Sequence, residues 1–383
     1  MNIVIAIDKF KGSATHEQLS STIEKTIKQC AKDAHIIVVP VADGGDGTMQ
    51  SIHNILGNQV KTRKVRVQAP VPHLPSIDAE YLVDKSTGTA FMDLATASGL
   101  ALVPPDKRKA MRANTAGTGV VIAHAINNGA RHIIMGLGGS ATTDCGTGIL
   151  WALGVRFLDK NRMNLPPCGE ILQRIHKVDT SRISDAVRAT RFTLLTDVDN
   201  PLHGPNGAAY VYAPQKGASE RQVVLLDKGL KHLANLMPAD VPETAGAGAA
   251  GGVAAGMMAW LDATIKPGID TMLEMAKFDE ILDNADLVIT GEGRIDRQTM
   301  MGKAPAGVLK AAQRHDIPVI ALCGSIAPDI NVNELGFTQV IPITPTDLPL
   351  EQALDTTTTL NNVEAAVAEL ITHWEQSHTQ GFN

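Results

Sequence analysis

The chain has 383 residues, 44% of them hydrophobic and 19% charged, with a formal net charge of −6. That length and balance describe a folded protein of two domains and exclude a disordered chain. The acidic sum speaks against a duplex nucleic-acid partner, which needs a basic face. Cys30, Cys145, Cys168 and Cys323 are far apart with no C-x-x-C spacing. They read as reduced intracellular thiols rather than a disulfide frame or zinc site.

The chain opens on a β-branched run at residues 3–7 that stops at Asp8. Without a basic n-region this predicts a strand buried on both faces, not a signal peptide. Thr15-x-x-Gln18 resembles a capping box, and Leu19, Ile23, Ile27 and Cys30 follow at helical spacing. A second β-branched run at 36–41 completes a β-α-β unit. Its loop, residues 8–13, then lies at the carboxyl end of the first strand, where open α/β sheets bind ligands.

The middle reads differently. Residues 59–67 and 77–94 alternate with turns between them and predict antiparallel or mixed strands. A helix over 118–128 and a strand over 133–137 follow, and these could extend the first sheet. Residues 245–261 carry no charge, yet they are shorter than the ~20 residues a span requires and hold five glycines, which argues against a transmembrane helix. The C-terminal hundred residues return to β-α-β grammar. Strands are predicted at 287–290, 319–323 and 340–343, with a helix from Ala304-Pro305 to about His315. A closing helix sets Leu360, Val363, Val367, Leu370 and Trp374 on one stripe, which is core packing.

The predicted architecture is therefore α/β: a Rossmann-like, flavodoxin-like parallel-sheet domain built from both chain ends, with a second α/β domain inserted. The divisions are set at 1–65 plus 284–383 for the first and 66–283 for the insert, with 113–140 assignable to either.

Four loops offer parts for chemistry. Asp43-Gly44-Gly45-Asp46-Gly47-Thr48 joins a strand to a helix. Its glycines admit a ligand to the backbone, although a tight turn explains it equally. Residues 136–146 follow a strand with Gly136-x-Gly138, and Gly138, Gly139, Ser140 and Thr142 form a glycine nest suited to phosphates. With Ala141 in the third position this is also a weak dinucleotide fingerprint, and Asp159 stands where its acidic residue is expected. Asp197 and Asp199 share a strand end, an arrangement that can hold a metal and is more often a solvated turn. Gly291-Glu292-Gly293-Arg294-Ile295-Asp296 predicts a loop with a guanidinium able to grip a carboxylate or phosphate, or simply a surface ion pair. Gly302-Lys303 lies just beyond. The P-loop, the G-x-S-x-G elbow, the H-E-x-x-H helix and the protein-kinase catalytic loop are absent from the sequence.

Taken in order, seven motifs resemble the bacterial glycerate kinases of the type-1 family across essentially the whole chain. They are Asp8-x-Phe10-Lys11-Gly12-Ser13, Ala42-Asp43-Gly44-Gly45-x-Gly47-Thr48, Gly138-Gly139-Ser140-Ala141-Thr142 and Asp197-Val198-x-Asn200-Pro201-Leu202. Pro214-Gln215-Lys216-Gly217-Ala218, the glycine run 246–252 and Thr290-Gly291-Glu292-Gly293-Arg294-Ile295-Asp296 complete the set. Against the family pattern, Ile7 replaces a proline and Lys9 a serine, Asp46 stands for a glutamate, and Thr143 and Cys145 stand for Asn and Gly.

The resemblance implies ATP-dependent phosphorylation of D-glycerate, with the 2-position favoured, by a two-domain enzyme closing around a cleft. Within it Arg294, Asp8 and Asp43 are expected at the substrate, and Asp197, Lys11 and Asp296 at the reaction, Asp197 as the base. Gly138, Gly139, Ser140, Thr142 and Lys216 are expected at the nucleotide, and Asp46 and Glu292 at Mg²⁺. The expected partners are glycerate and ATP in the cytoplasm, with no nucleic acid and no membrane; the homo-oligomeric state stays open. An NAD-dependent hydroxy-acid dehydrogenase and a non-catalytic hydroxy-acid binding protein are the alternatives.

Overall fold

A computed structural model describes residues 1–379 apart from 43, 46, 298, 300 and 301. In chain order its strands are β1 (Asn2–Ile7), β2 (His35–Val38), β3 (Lys61–Val67), β4 (Ile77–Asp84) and β5 (Thr89–Asp93). Next come β6 (His132–Gly136), β7 (Arg156–Leu158), β8 (Lys177–Asp179), β9 (Arg191–Leu195) and β10 (Thr264–Lys266). The last are β11 (Leu287–Ile295), β12 (Val319–Ile326) and β13 (Gln339–Pro342). The chain divides into two compact units, Met1–Asp43 with Ile269–Asn383, and Gly44–Gly268.

The first unit is an all-parallel sheet in the order β13-β12-β11-β1-β2. Counted within the unit, this is the 2-1-3-4-5 order of flavodoxin-like doubly wound sheets. Strand period decides the layers. Ile3, Ile5 and Ile7 of β1 pack on one face with Leu19, Ile23 and Ile27 of helix His16–Cys30 and Val363, Val367 and Ile371 of helix Thr356–Thr379. Val4 and Ala6 pack on the other with Val308 and Ala312 of helix Ala304–Gln313 and with Leu273, Phe278 and Leu282. A strand apolar at every position is buried on both sides, as its sequence requires. The Thr15–Gln18 capping box forms, with Gln18 N donating to Thr15 Oγ1 at 3.2 Å and Thr15 N to Gln18 Oε1 at 2.9 Å.

The second unit holds a mixed sheet in the order β10-β9-β6-β5-β4-β3, parallel from β10 to β5 and antiparallel beyond. Its core runs from Val67 to Ala263. The helix Ala116–Asn127 and β6 belong here, because β6 pairs with β5 and β9. Residues 44–65 go with this unit, where β3 pairs with β4, and residues 269–283 go with the first, where their apolar side chains cover the sheet.

Two sequence expectations change. The run after Thr290 is not a loop: β11 continues to Ile295, with Glu292 opposite Cys323 and Arg294 opposite Ser325. The strand survives its glycines because they are needed there. A Cβ on Gly291 would lie 2.1 Å from Leu322 O, and one on Gly324 would lie 2.6 Å from Gly293 O. The dinucleotide reading fails as well. The next strand after β6 is not its parallel neighbour: β7 pairs with β8 in a separate antiparallel ribbon, and the parallel partner β9 comes only afterwards. Asp159 instead accepts from the amides of Asn161 and Met163 in its own turn. Among the described residues no helix is long and apolar enough to cross a membrane.

Candidate functional site

In the first unit the chemistry gathers at the carboxyl edge of the sheet. β1 ends opposite Gly291, and the Asp8 amide donates to the Gly291 carbonyl at 3.0 Å. The chain then folds back through a turn closed by Phe10 and Ala14, whose backbones exchange bonds of 2.9 and 3.0 Å. This turn lies on β11, since a Cβ on Gly293 would stand 3.3 Å from Lys11 N and 3.4 Å from Phe10 Cα. Glycine at 293 therefore sets the backbone of the 8–11 turn beside Glu292 and Arg294. Arg294 and Lys11 are exposed; Asp8 is half-buried and its Oδ1 accepts from Lys9 N at 2.8 Å.

Glu292 and Asp296 converge on one cation. Lys303 Nζ is 3.3 Å from Glu292 Oε2 and 3.8 Å from Asp296 Oδ1. Asp296 is also tied to Thr299, exchanging bonds of 2.9 and 3.3 Å. Burial pushes the Glu292 carboxyl up, against the Thr299 hydroxyl and the Lys303 charge, which hold it down. Glu292, expected at a metal, thus has an ammonium on its carboxylate. Among the described residues no group of three or more His, Cys, Asp or Glu side chains could hold a metal ion. Asp43 and Asp46 lie outside the described residues. A cavity of about 600 Å³ lined by Asn2, Val4, His35, Lys277 and Glu280 opens at the other edge, by the amino ends of β1 and β2.

In the second unit, too, glycine loops cover the carboxyl ends of the strands. A Cβ on Gly44 would stand 2.8 Å from Leu195 C, at the end of β9, and one on Gly136 would stand 2.8 Å from Asp93 Oδ1. Gly44 O accepts from Gly138 N at 3.2 Å, so Gly44 is joined to the 138–142 loop. Asp93 Oδ2 accepts from Met49 N at 3.2 Å and so occupies the start of helix Thr48–Leu56. In the 138–142 loop, Ala141 N donates to Ser98 O and Thr142 N to Ser140 Oγ. Gly139 is exposed with φ +70°. Thr142 is fully buried, its Oγ1 3.0 Å from Ser140 Oγ.

Lys216, expected at the nucleotide, is only 3% exposed, and its Nζ donates to Thr142 O at 2.6 Å. Burial lowers this ammonium to about 7, with the Asp144 charge pulling upward. Asp144 is fully buried and accepts from Thr115 N, Thr115 Oγ1, Gly146 N and Gly148 N at 2.9–3.2 Å. Burial pushes its carboxyl up while these donors hold it down. Asp197 is half-buried just past β9. Burial, then the charges of Asp197 and Asp199, push the Tyr212 hydroxyl up to about 12. That hydroxyl donates to Asn200 Oδ1 at 2.6 Å.

The structure thus gathers Asp8, Lys11, Glu292, Arg294 and Asp296 on one sheet edge. Gly138, Gly139, Ser140, Thr142, Lys216 and Asp197 fall at the carboxyl edge of the other sheet. With this geometry in view, the glycerate kinase family matches residues 3–375 of the chain. The chain belongs to that family.

Glycerate kinase from Halalkalibacterium halodurans is 39% identical over 380 residues, covering 98% of this chain and 99% of the relative. The glycerate kinase of Bacillus subtilis is 40% identical over 360 residues, 93% of each chain. The glycerate 2-kinase of Escherichia coli K12 is 39% identical over 336 residues, 87% of each. A crystal structure assigned as glycerate kinase 2 from Salmonella typhimurium LT2 superposes with a TM-score of 0.83 at 35% identity, covering 99% of both chains. The chain is accordingly a kinase, a phosphotransferase with an alcohol group as acceptor, and the dehydrogenase reading has no support.

Sequence reasoning assigned no role to Asp144 or Lys303. Asp144 lies in the 136–146 loop, two and four residues before Gly146 and Gly148, whose amides it binds. Lys303 stood beside Gly302, but its carboxylate partners lie on another element.

Proposed function

We propose that this chain transfers the γ-phosphoryl group of ATP to D-glycerate, releasing ADP and phosphoglycerate. The 2-hydroxyl is the favoured acceptor, a preference that the name of the E. coli relative supports. The observation that carries the reading is whole-length similarity to proteins named glycerate kinase, joined to loops rich in anion-binding parts. In the reaction the glycerate hydroxyl oxygen bonds to the γ-phosphorus and the bond to the β,γ-bridging oxygen breaks, leaving on ADP. The hydroxyl proton passes to a carboxylate, for which Asp197 is the choice and Asp296 the second.

Arg294, exposed at the end of β11, suits the glycerate carboxylate through a two-pronged hydrogen bond. Lys11 on the adjoining turn supplies positive charge to the transferring group, and Asp8 accepts from a glycerate hydroxyl. The exposed backbone at Gly139, with Gly138 and Ser140, suits the phosphates. Mg²⁺ enters as the counter-ion that accompanies ATP, with Asp46 and Glu292 the carboxylates proposed for it.

Purified protein given ATP, Mg²⁺ and D-glycerate should release ADP in step with glycerate consumed. Phosphorus NMR of the product should show 2-phosphoglycerate. A 3-phosphoglycerate product would correct the position; no glycerate-dependent ADP would overturn the activity.

A further inference from the structure

We propose that Lys216 is a positioning residue for nucleotide binding: its buried ammonium holds the 138–142 loop in shape through the Thr142 carbonyl and does not touch the nucleotide. The inference rests on the reading above, in which that loop meets the phosphates.

A lysine gains nothing from burial by itself. An ammonium taken out of water is destabilising unless it is paired and hydrogen-bonded. Lys216 nevertheless points inward, because its turn is held on both sides. Gly217 has φ +89° and lies so close to Arg108 that a Cβ would stand 2.8 Å from Arg108 Cβ. Arg108 Nη1 also donates to Gln215 O at 3.0 Å. The turn Pro214–Lys216 is thereby fixed, and its lysine reaches the buried Thr142 carbonyl.

That carbonyl has little room to move. A Cβ on Gly251 would fall 2.1 Å from Thr142 O, so the 250–252 backbone closes its other side. The rest of residue 142 is tied to Ser140, whose Oγ also lies 3.4 Å from Ala250 O. Two residues on, Asp144 anchors the same segment to Thr115 and contributes the negative charge that favours the ammonium. Lys216 therefore braces, from below, a loop whose outer residue Gly139 is exposed. Without the ammonium, the buried Thr142 carbonyl keeps only the long 3.4 Å bond from Ser140 Oγ, and the loop loses its firmest tie.

The test is calorimetric titration of ATP with Mg²⁺ into the full chain, its Lys216→Met variant and its Lys216→Arg variant, with Tyr81→Phe as a control. Tyr81 is a buried hydroxyl elsewhere in the unit, 3.0 Å from His124 Nδ1. Lys216→Met should weaken ATP binding tenfold or more, Lys216→Arg should recover most of that loss, and Tyr81→Phe should change it less than twofold. In steady-state assays the KM for ATP should rise with the Kd, and the KM for glycerate should stay within twofold. ATP binding within twofold of wild type in Lys216→Met overturns the inference, as does a fall in kcat with Kd unchanged, which would place the lysine at the reacting atoms. If Lys216→Met does not fold, Lys216→Gln is read by the same thresholds. A wild-type chain that binds no ATP overturns the proposed function as well, so the two failures are told apart.

Discussion

Arg294 and His132 show how far a side chain's role depends on what surrounds it. Arg294 is exposed at the end of β11 and no core packing depends on it. Arg294→Ala should therefore lower kcat/KM for glycerate about a hundredfold or more, with an unchanged denaturation midpoint. Near wild-type turnover would remove it from the substrate. His132 is the opposite case. Arg191, which can only donate, lies with Nη2 2.8 Å from His132 Nδ1, so that nitrogen is an acceptor and the ring is neutral; Nε2 is 2.8 Å from Thr193 Oγ1. Burial, then the Arg191 and Lys266 charges, lower the imidazole to about 4. The unfolded chain therefore binds the extra proton between the ordinary value of 6.5 and about 4, and stability falls as pH drops through that window. Thermal melts from pH 7 to pH 4.5 should show a midpoint that falls less steeply in His132→Gln than in wild type. Equal slopes would mean that His132 does not contribute.

At the scale of elements, glycine placement decides what the sequence could and could not reveal. The closing helix, the Thr15 capping box and the doubly buried β1 were legible because period and capping chemistry are local. The extension of β11 was not, because glycines in a strand look like a loop until the neighbour whose backbone they admit is known. The run 246–252 was visible as glycine-rich, but its path was not. Ala250, Gly251 and Gly252 are successively left-handed, with φ 54°, 72° and 86°, before the helix resumes. Gly251 combines that conformation with the contact on Thr142 O, so Gly251→Ala should cost about 3 kcal/mol or more. Gly129, with φ +99° and nothing within 4 Å of a Cβ, is the control. There Gly→Ala carries only the conformational cost of about 1–2 kcal/mol. Guanidinium melts of the two variants should separate accordingly, and equal midpoints would refute the close-approach argument. The loops of the candidate site were likewise legible as loops, whereas the inward turn of Lys216 was not, since Gln-Lys-Gly reads the same exposed or buried.

At the scale of the whole chain, connectivity makes the two units unequal. The first needs both chain ends: β1 takes its place between β2 and β11, pairing Asn2 with His35 and Ile3 with Leu287. The β-α-β grammar at each end announced this sheet, but the order of strands from distant segments is set by long-range pairing that no local pattern encodes. The second unit is one continuous stretch with its own core, from Val67 to Ala263, and its own sheet. A segment with a complete core and no strand borrowed from outside should fold when excised. Residues 44–268 expressed alone should therefore give a mixed α/β circular dichroism spectrum and a cooperative melt. Residues 269–383 alone lack β1 and β2, leaving the β11 edge unpaired and its apolar faces partly uncovered, and should remain largely unfolded. A non-cooperative 44–268 fragment would show that this core depends on the rest of the chain. An independently folded 269–383 fragment would show that β1 is dispensable to the sheet it now joins between β11 and β2.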